Sequence, residues 1–306
     1  MSVVEAARFY AQRQCRDVIP KTVPDIVTEL LDDLTRKGKS KFYIRDLRVR
    51  LGAYAKAHEC PLNTVSGKEI DLYVSKLKGG ARYRNNVLQA IGTLFSFARS
   101  HGYVHPDHEG TSKVTRYEVR HKEVEVFTPA ELEAMLKAAN QQVQLALALT
   151  SFAGIRGAEL GRLTWGDIRF DLGCIRVKAV SAKTGIRRVP PIPDNLRAWL
   201  ELHKTDSGPV VGYKNVYNQF LKVAKKAGVT WKRNAHRHSF VSYRTALMKN
   251  LDQVAMEAGH SKKLLLHHYF QVVSAEAASA WFSIFPPKKV QQAEAESKPE
   301  AQPEQK

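Results

Sequence analysis

The feature that most constrains this chain is an interruption. Up to about residue 103 its apolar residues recur at helical spacing. Residues 104–126, "VHPDHEGTSKVTRYEVRHKEVEV", then lose all periodicity and mix Pro, Gly, Ser and Thr with charges of both signs. At "FTPAELEAML" helical order restarts: Thr128, Pro129 and Glu131 supply an N-cap, a first-turn proline and a capping-box acid together. A stretch with so little to bury cannot carry one continuous core across it. We therefore expect two separately cored domains over 1–104 and 127–285, joined by an extended basic linker over 105–126.

The first domain reads as helices throughout. "KFYIRDLRVRLGAYAKAH" (41–58) alternates apolar and basic residues at helical spacing, and Ser66 with Glu69 forms a capping box before "IDLYVSKL". In "ARYRNNVLQAIGTLFSFARSHGY" (81–103) Val87, Leu88, Ile91, Leu94, Phe95 and Phe97 fall on one face. Arg82 and Arg84 open that helix, just after Lys76 and Lys78. Such a group is either a solvated helix end or a phosphate-contacting rim.

The second domain mixes periods. "VQLALALTSFAG" (143–154) is too short to span a bilayer and reads as a buried helix. In "DIRFDLGCIRVKAV" (167–180) the period falls to two, giving a hairpin that turns at Asp171-Leu172-Gly173; "AKTGIRRVPPI" (182–192) adds a turn at Thr184-Gly185 and a third short strand. Helices resume at Asn195. Residues 286–306 hold almost no apolar side chain and are expected to be disordered, with Lys and Glu in balance. No internal repeat is found.

Charge narrows the partner. The chain has 48 Lys and Arg against 30 Asp and Glu, a formal net charge of +18 over 306 residues. The excess falls on both sides of residue 126, so both domains are suited to one polyanion. Three scattered cysteines, Cys15, Cys60 and Cys174, make neither a disulfide framework nor a zinc knuckle and fit a reducing, cytoplasmic setting. Neither a signal sequence nor a membrane span is expected.

Four stretches carry candidate chemistry. Arg156 in "GIRGAELGRL" lies at the end of the apolar helix, with Glu159 one turn on; alone this is an ion pair that seats a helix. Lys183 occupies the tight "SAKTGI" turn. Arg237 stands in "NAHRHSFVSYR", three residues after Asn234. "GHSKKLLLHHYF" (259–270) sets His260 nine residues before Tyr269. His236, His238, His260, His267 and His268 are clustered, but "HSFVSYRTALM" reads as a helix with no acidic ligand nearby, so no metal is expected.

In this order the stretches resemble the tyrosine recombinases, the phage-integrase-like family. The resemblance lies in Gly154-Ile155-Arg156-Gly157-Ala158-Glu159-Leu160, Lys183, Asn234-Ala235-His236-Arg237, Gly259-His260 and Tyr269, and extends to a helical first domain. It implies a mainly α core-binding domain closing on DNA, and an α+β catalytic domain with a small antiparallel sheet. It implies site-specific breakage and rejoining of double-stranded DNA by a homotetramer, without metal or nucleotide cofactor. Tyr269 would attack phosphorus to leave a 3′-phosphotyrosine. Arg156 and Arg237 would grip the non-bridging oxygens, Lys183 would protonate the leaving 5′-oxygen, and His260 would hydrogen-bond the phosphate or assist the phenol proton.

This chain has Asn234 where the family pattern has a His. Asn can donate a hydrogen bond to phosphate but cannot carry a proton. His236 is no substitute, since helix neighbours of Arg237 point about 100° away. Its removal is accordingly expected to affect cleavage only mildly. The DNA-binding rim is assigned to Lys76, Lys78, Arg82, Arg84, Lys113 and Arg116. The alternatives are a weak or inactive DNA-binding relative and a type IB topoisomerase-like relaxase. "AEAASAWFSIF" (275–285) places Ala275, Ala278, Trp281, Phe282 and Phe285 in a stripe suited either to its own domain or to a neighbouring protomer.

Overall fold

The computed structural model describes residues 2–5, 18–119, 123–178, 187–213, 215–259, 261, 262, 265 and 272–287. It divides into two compact units, Met1–His121 and Lys122–Lys306.

The first unit contains α1 (Val23–Arg36), α2 (Lys41–Ala57), α3 (Gly67–Lys76) and α4 (Ala81–Ser100). Three of these four starts follow from side-chain caps. Thr22 accepts the Asp25 N–H to begin α1, and Ser40 accepts the Tyr43 N–H to begin α2. Before α3, Ser66 accepts from Glu69 N while Glu69 accepts from Ser66 N, closing the expected capping box. Val23, Ile26 and Leu30 of α1, Leu47 and Leu51 of α2, and Ile91 and Leu94 of α4 bury their side chains in a shared core.

Residues 105–119, read from sequence as part of the linker, fold back on this unit. Glu109 accepts the Gly67 N–H (2.7 Å), Val114 is buried in the core, and Asn85 and Tyr117 exchange two hydrogen bonds of 2.8 and 2.9 Å. Each of these hydrogen bonds satisfies a polar backbone group that an extended linker would leave to water.

The second unit opens with α5 (Pro129–Ala138), started by the Thr128–Glu131 box, and α6 (Gln141–Phe152), buried from Val143 to Phe152 apart from Gln144. A one-turn α7 (Gly157–Leu160) leads to β1 (Ile168–Arg169) and β2 (Cys174–Ile175), an antiparallel pair with Ile168 opposite Ile175. Single bridges, Cys174 to Pro191 and Val177 to Arg188, bring the returning segment beside β2. Then follow α8 (Asp194–Leu202), α9 (Val216–Lys226), α10 (Ala235–Met248), α11 (Leu251–Ala258) and α12 (Ala275–Phe282).

The central element is α10, packed against α6, α11 and α12. Phe127, just ahead of α5, is tied to it twice: its N–H donates to Ser239 Oγ and its carbonyl accepts from Tyr243 Oη. The stripe on α12 packs on its own unit. Trp281 is fully buried, stacks on Tyr243 at 4.5 Å and donates to the Ser151 carbonyl, while Ala275 and Phe285 stay exposed. No described helix is long and apolar enough to cross a membrane. The segment expected to be disordered lies, from 288 onward, outside the described residues.

Candidate active site

The site grows from a turn that only glycine can make. α6 ends at Phe152, and the chain reverses at Gly154 with φ +60°. A Cβ there would sit 2.4 Å from the Phe240 ring, so both the backbone angle and the space require glycine. The turn directs the Gly154 carbonyl at two guanidiniums: Arg237, from the first turn of α10, and Arg188, from the strand beside β2.

Arg156 follows the turn and precedes α7. Its Nη1 pairs with Glu159 Oε1 at 2.8 Å, and its backbone N–H donates to Oε2 at 2.9 Å. The pair that sequence spacing allowed is therefore present. Its Nη2 reaches across the unit to the Gly259 carbonyl at 3.0 Å. Arg237 also bonds the neighbouring Ala258 carbonyl. Two cations from distant parts of the chain thus converge on the end of α11, one residue before His260.

Glu159 is 2 % exposed yet ionised. Burial acts to raise its pKa, but the Arg188 charge and the bonds from Arg156 outweigh this and hold it below the usual carboxylate range. Arg188 is equally buried; burial draws its pKa down while Glu159 supports its charged form. Sequence reasoning places Arg188 in a strand and assigns it no role. A signal exists all the same: it shares strand parity with Pro190 and Ile192, so an alternating strand turns all three inward. An inward arginine requires a buried acceptor.

Asn234 caps α10 with left-handed backbone, φ 59°, and is exposed. Its carbonyl accepts from Arg237 N and His238 N. His236 instead faces the core, against Phe127 (4.7 Å), Phe220 (5.0 Å) and Trp231 (5.6 Å), with Nδ1 at 3.1 Å from Ser151 Oγ. Burial pushes its pKa down to about 3. This separates it from Arg237, as the helical angle required, and makes it a core side chain, whose loss bears on stability. Lys183, His260, His267, His268 and Tyr269 lie outside the described residues.

In the first unit, Lys76, Lys78, Arg82, Lys113 and Arg116 are exposed. Lys113 pairs with Glu109 at 2.9 Å. Arg116 borders an open depression with Gln89, Thr93, Ser96, Arg99 and Thr111. Arg84 is committed elsewhere: it donates to the Leu77 carbonyl (3.1 and 3.3 Å) and lies 5.2 Å from the Tyr117 ring centre. It fastens the α3–α4 connection.

Residues 125–276 match the model of the phage integrase family, a range that includes Arg156, Lys183, Asn234, Arg237, His260 and Tyr269. Comparison with curated proteins gives no match. Solved structures of similar fold include a lambda integrase dimer bound to a COC′ core site, at TM-score 0.67 and 16 % identity over 80 % of this chain and 97 % of that one. A lambda integrase tetramer bound to a Holliday junction matches at TM-score 0.66 and 15 % identity, covering 89 % and 80 %. The Tn1549 transposon integrase in complex with circular intermediate DNA matches at 0.61 and 18 %, covering 85 % and 98 %. At these identities the likeness is one of fold.

Proposed function

The chain belongs, through residues 125–276, to the phage integrase family, and on that premise we propose that it breaks and rejoins double-stranded DNA at specific sites through Tyr269. The Tyr269 oxygen attacks a backbone phosphorus and loses its proton. The bond to the 5′-oxygen breaks, Lys183 protonates that oxygen, and a 3′-phosphotyrosyl link remains. One phosphodiester is exchanged for another, so a second 5′-hydroxyl can reverse the step without an external energy source. The chemistry needs neither metal nor nucleotide.

The observation that carries this reading is the convergence of Arg156 and Arg237 on the Gly154, Ala258 and Gly259 carbonyls, the last of them one position before His260 in the sequence. Backbone acceptors orient both guanidiniums in advance, and preorganised cations stabilise charge that develops on a phosphoryl group without reorganising. Asn234, at the N-cap ahead of Arg237, supplies a neutral amide where the family pattern has a His. Residues 1–104, with 105–119 folded back on them, act as the core-binding clamp, and 127–285 as the catalytic domain. Lys76, Lys78, Arg82, Lys113 and Arg116 meet phosphates, and the working assembly on DNA is a tetramer.

The test uses nicked suicide duplexes tiled across the DNA that flanks the gene. Wild type should give a DNA-linked band on a denaturing gel, and Tyr269→Phe none. Arg237→Ala should lose cleavage by ~10² or more while duplex affinity falls far less. Equal trapping by Tyr269→Phe refutes the assignment.

A further inference from the structure

Arg188 belongs to none of the six candidate catalytic positions, yet it bonds the Gly154 carbonyl that Arg237 also bonds and the Glu159 carboxylate that holds Arg156. Its backbone pairs with Val177 across the ladder, five residues after Lys183. Its side chain donates to the Glu257 carbonyl at 2.8 Å, to the Gly154 carbonyl at 3.3 Å and to Glu159 Oε2. Its Cδ lies so close under Gly259, where φ is +63°, that a Cβ there would stand 2.7 Å from it. Arg188 therefore joins the segment beside β2, through its backbone, to the Gly154 turn, α7 and the end of α11, through its guanidinium.

The electrostatic consequence is specific. Glu159 orients Arg156 through two hydrogen bonds, while setting a buried negative charge against the cation meant for phosphate. Paired with Arg156 alone, that carboxylate would neutralise it. Shared with Arg188, one carboxylate serves two guanidiniums and the group keeps a net charge of +1. We propose that Arg188 is a positioning residue that takes up the charge of Glu159, so that Arg156 is held in place and remains an effective cation for the scissile phosphate. This rests on the reading of Arg156 and Arg237 as a phosphate grip.

The experiment compares wild type, Arg188→Met, Arg188→Lys and the double variant Arg188→Met/Glu159→Gln. Single-turnover cleavage of the suicide duplex that wild type traps best is measured at saturating protein. Duplex Kd and thermal melting are measured in parallel. Arg188→Met should cleave about 10- to 100-fold more slowly per folded molecule, with Kd within about threefold of wild type. Arg188→Lys should recover at least half of that loss on a logarithmic scale, because it restores a cation opposite Glu159. The double variant should be faster than Arg188→Met, since the carboxylate that neutralises Arg156 is gone and Arg156 regains its charge. It is also the variant to read if the single one is too unstable, because it removes the buried carboxylate together with the cation that shared it.

A packing role alone predicts that the double variant is no faster than Arg188→Met, and that result overturns the proposal. So does cleavage by Arg188→Met within about threefold of wild type. Absence of any adduct with wild type would instead remove the recombinase reading. The charge-sharing idea is then read from inorganic phosphate: its stabilisation of wild type should be lost in Arg188→Met and regained in the double variant, and an unchanged shift across the three rejects it.

Discussion

Asn234 and Lys249 are the only non-glycine residues with left-handed backbone among those described, and Asn is among the residues that accept this region best. The residue in the family's His position thus has a backbone role as well as an amide facing solvent. Two residues on, His236 makes a measurable prediction. Its pKa is about 3 in the folded protein and near 6.5 when unfolded. Between these values the unfolded chain binds a proton that the folded one refuses. Stability contributed by this site is therefore fully present above pH 6.5 and is lost as pH falls toward 3, at up to about 1.4 kcal/mol per pH unit. Thermal melting across pH 4–7 should show a shallower acid decline in His236→Gln than in wild type; parallel curves would contradict the burial. The residue types were legible in the sequence, because Arg156, Glu159 and Arg237 stand at telling intervals. Their acceptors were not. The carbonyls of Gly154, Ala258 and Gly259 have no sequence signature, and only the fold brings residue 154 beside residue 259.

Helix starts were the clearest signal, since Thr128-Pro129-Glu131 and Ser66-Glu69 need only local geometry. The hairpin at 168–175 was equally local. The role of α12 was not, because its stripe of Ala278, Trp281 and Phe282 fits any apolar surface of the right shape. The structure buries Trp281 on Tyr243 and Ser151 of the same unit. Trp281→Ala should therefore destabilise this unit by about 3–5 kcal/mol, as for other buried aromatic truncations. Chemical denaturation of the variant at low protein concentration measures this; an unchanged midpoint would mean that the helix is held by another protomer. Truncation after Phe285 should leave stability unaltered, because the last described tie, Trp199 Nε1 to the Ile284 carbonyl, is retained.

For the whole molecule, a net charge of +18 predicts that the proposed duplex binding is strongly salt-dependent. Removing one cation that neutralises a phosphate should reduce the slope of log Kd against log salt by about 0.9. Arg82→Ala or Arg116→Ala should each show that decrement in fluorescence anisotropy titrations. Arg84→Ala should instead lower the melting temperature, because Arg84 holds the Leu77 carbonyl. An equal slope change for Arg84 and Arg82 would assign both to the DNA face. The division into two units was visible as a break in periodicity, whereas the return of 105–119 onto the first depends on single hydrogen bonds such as Gly67 to Glu109 that no pattern announces. Finally, Arg156 and Arg237, proposed as the phosphate grip, are anchored mostly to main-chain carbonyls. An arginine that reads a carbonyl does not read the side chain attached to it. Mutation can replace most neighbours of the site without moving its cations, provided that the arginines, Glu159 and the two tight glycines stay. Inheritance of such a site is then confined to a handful of letters, and lineages can drift far apart around it while the same geometry is passed on.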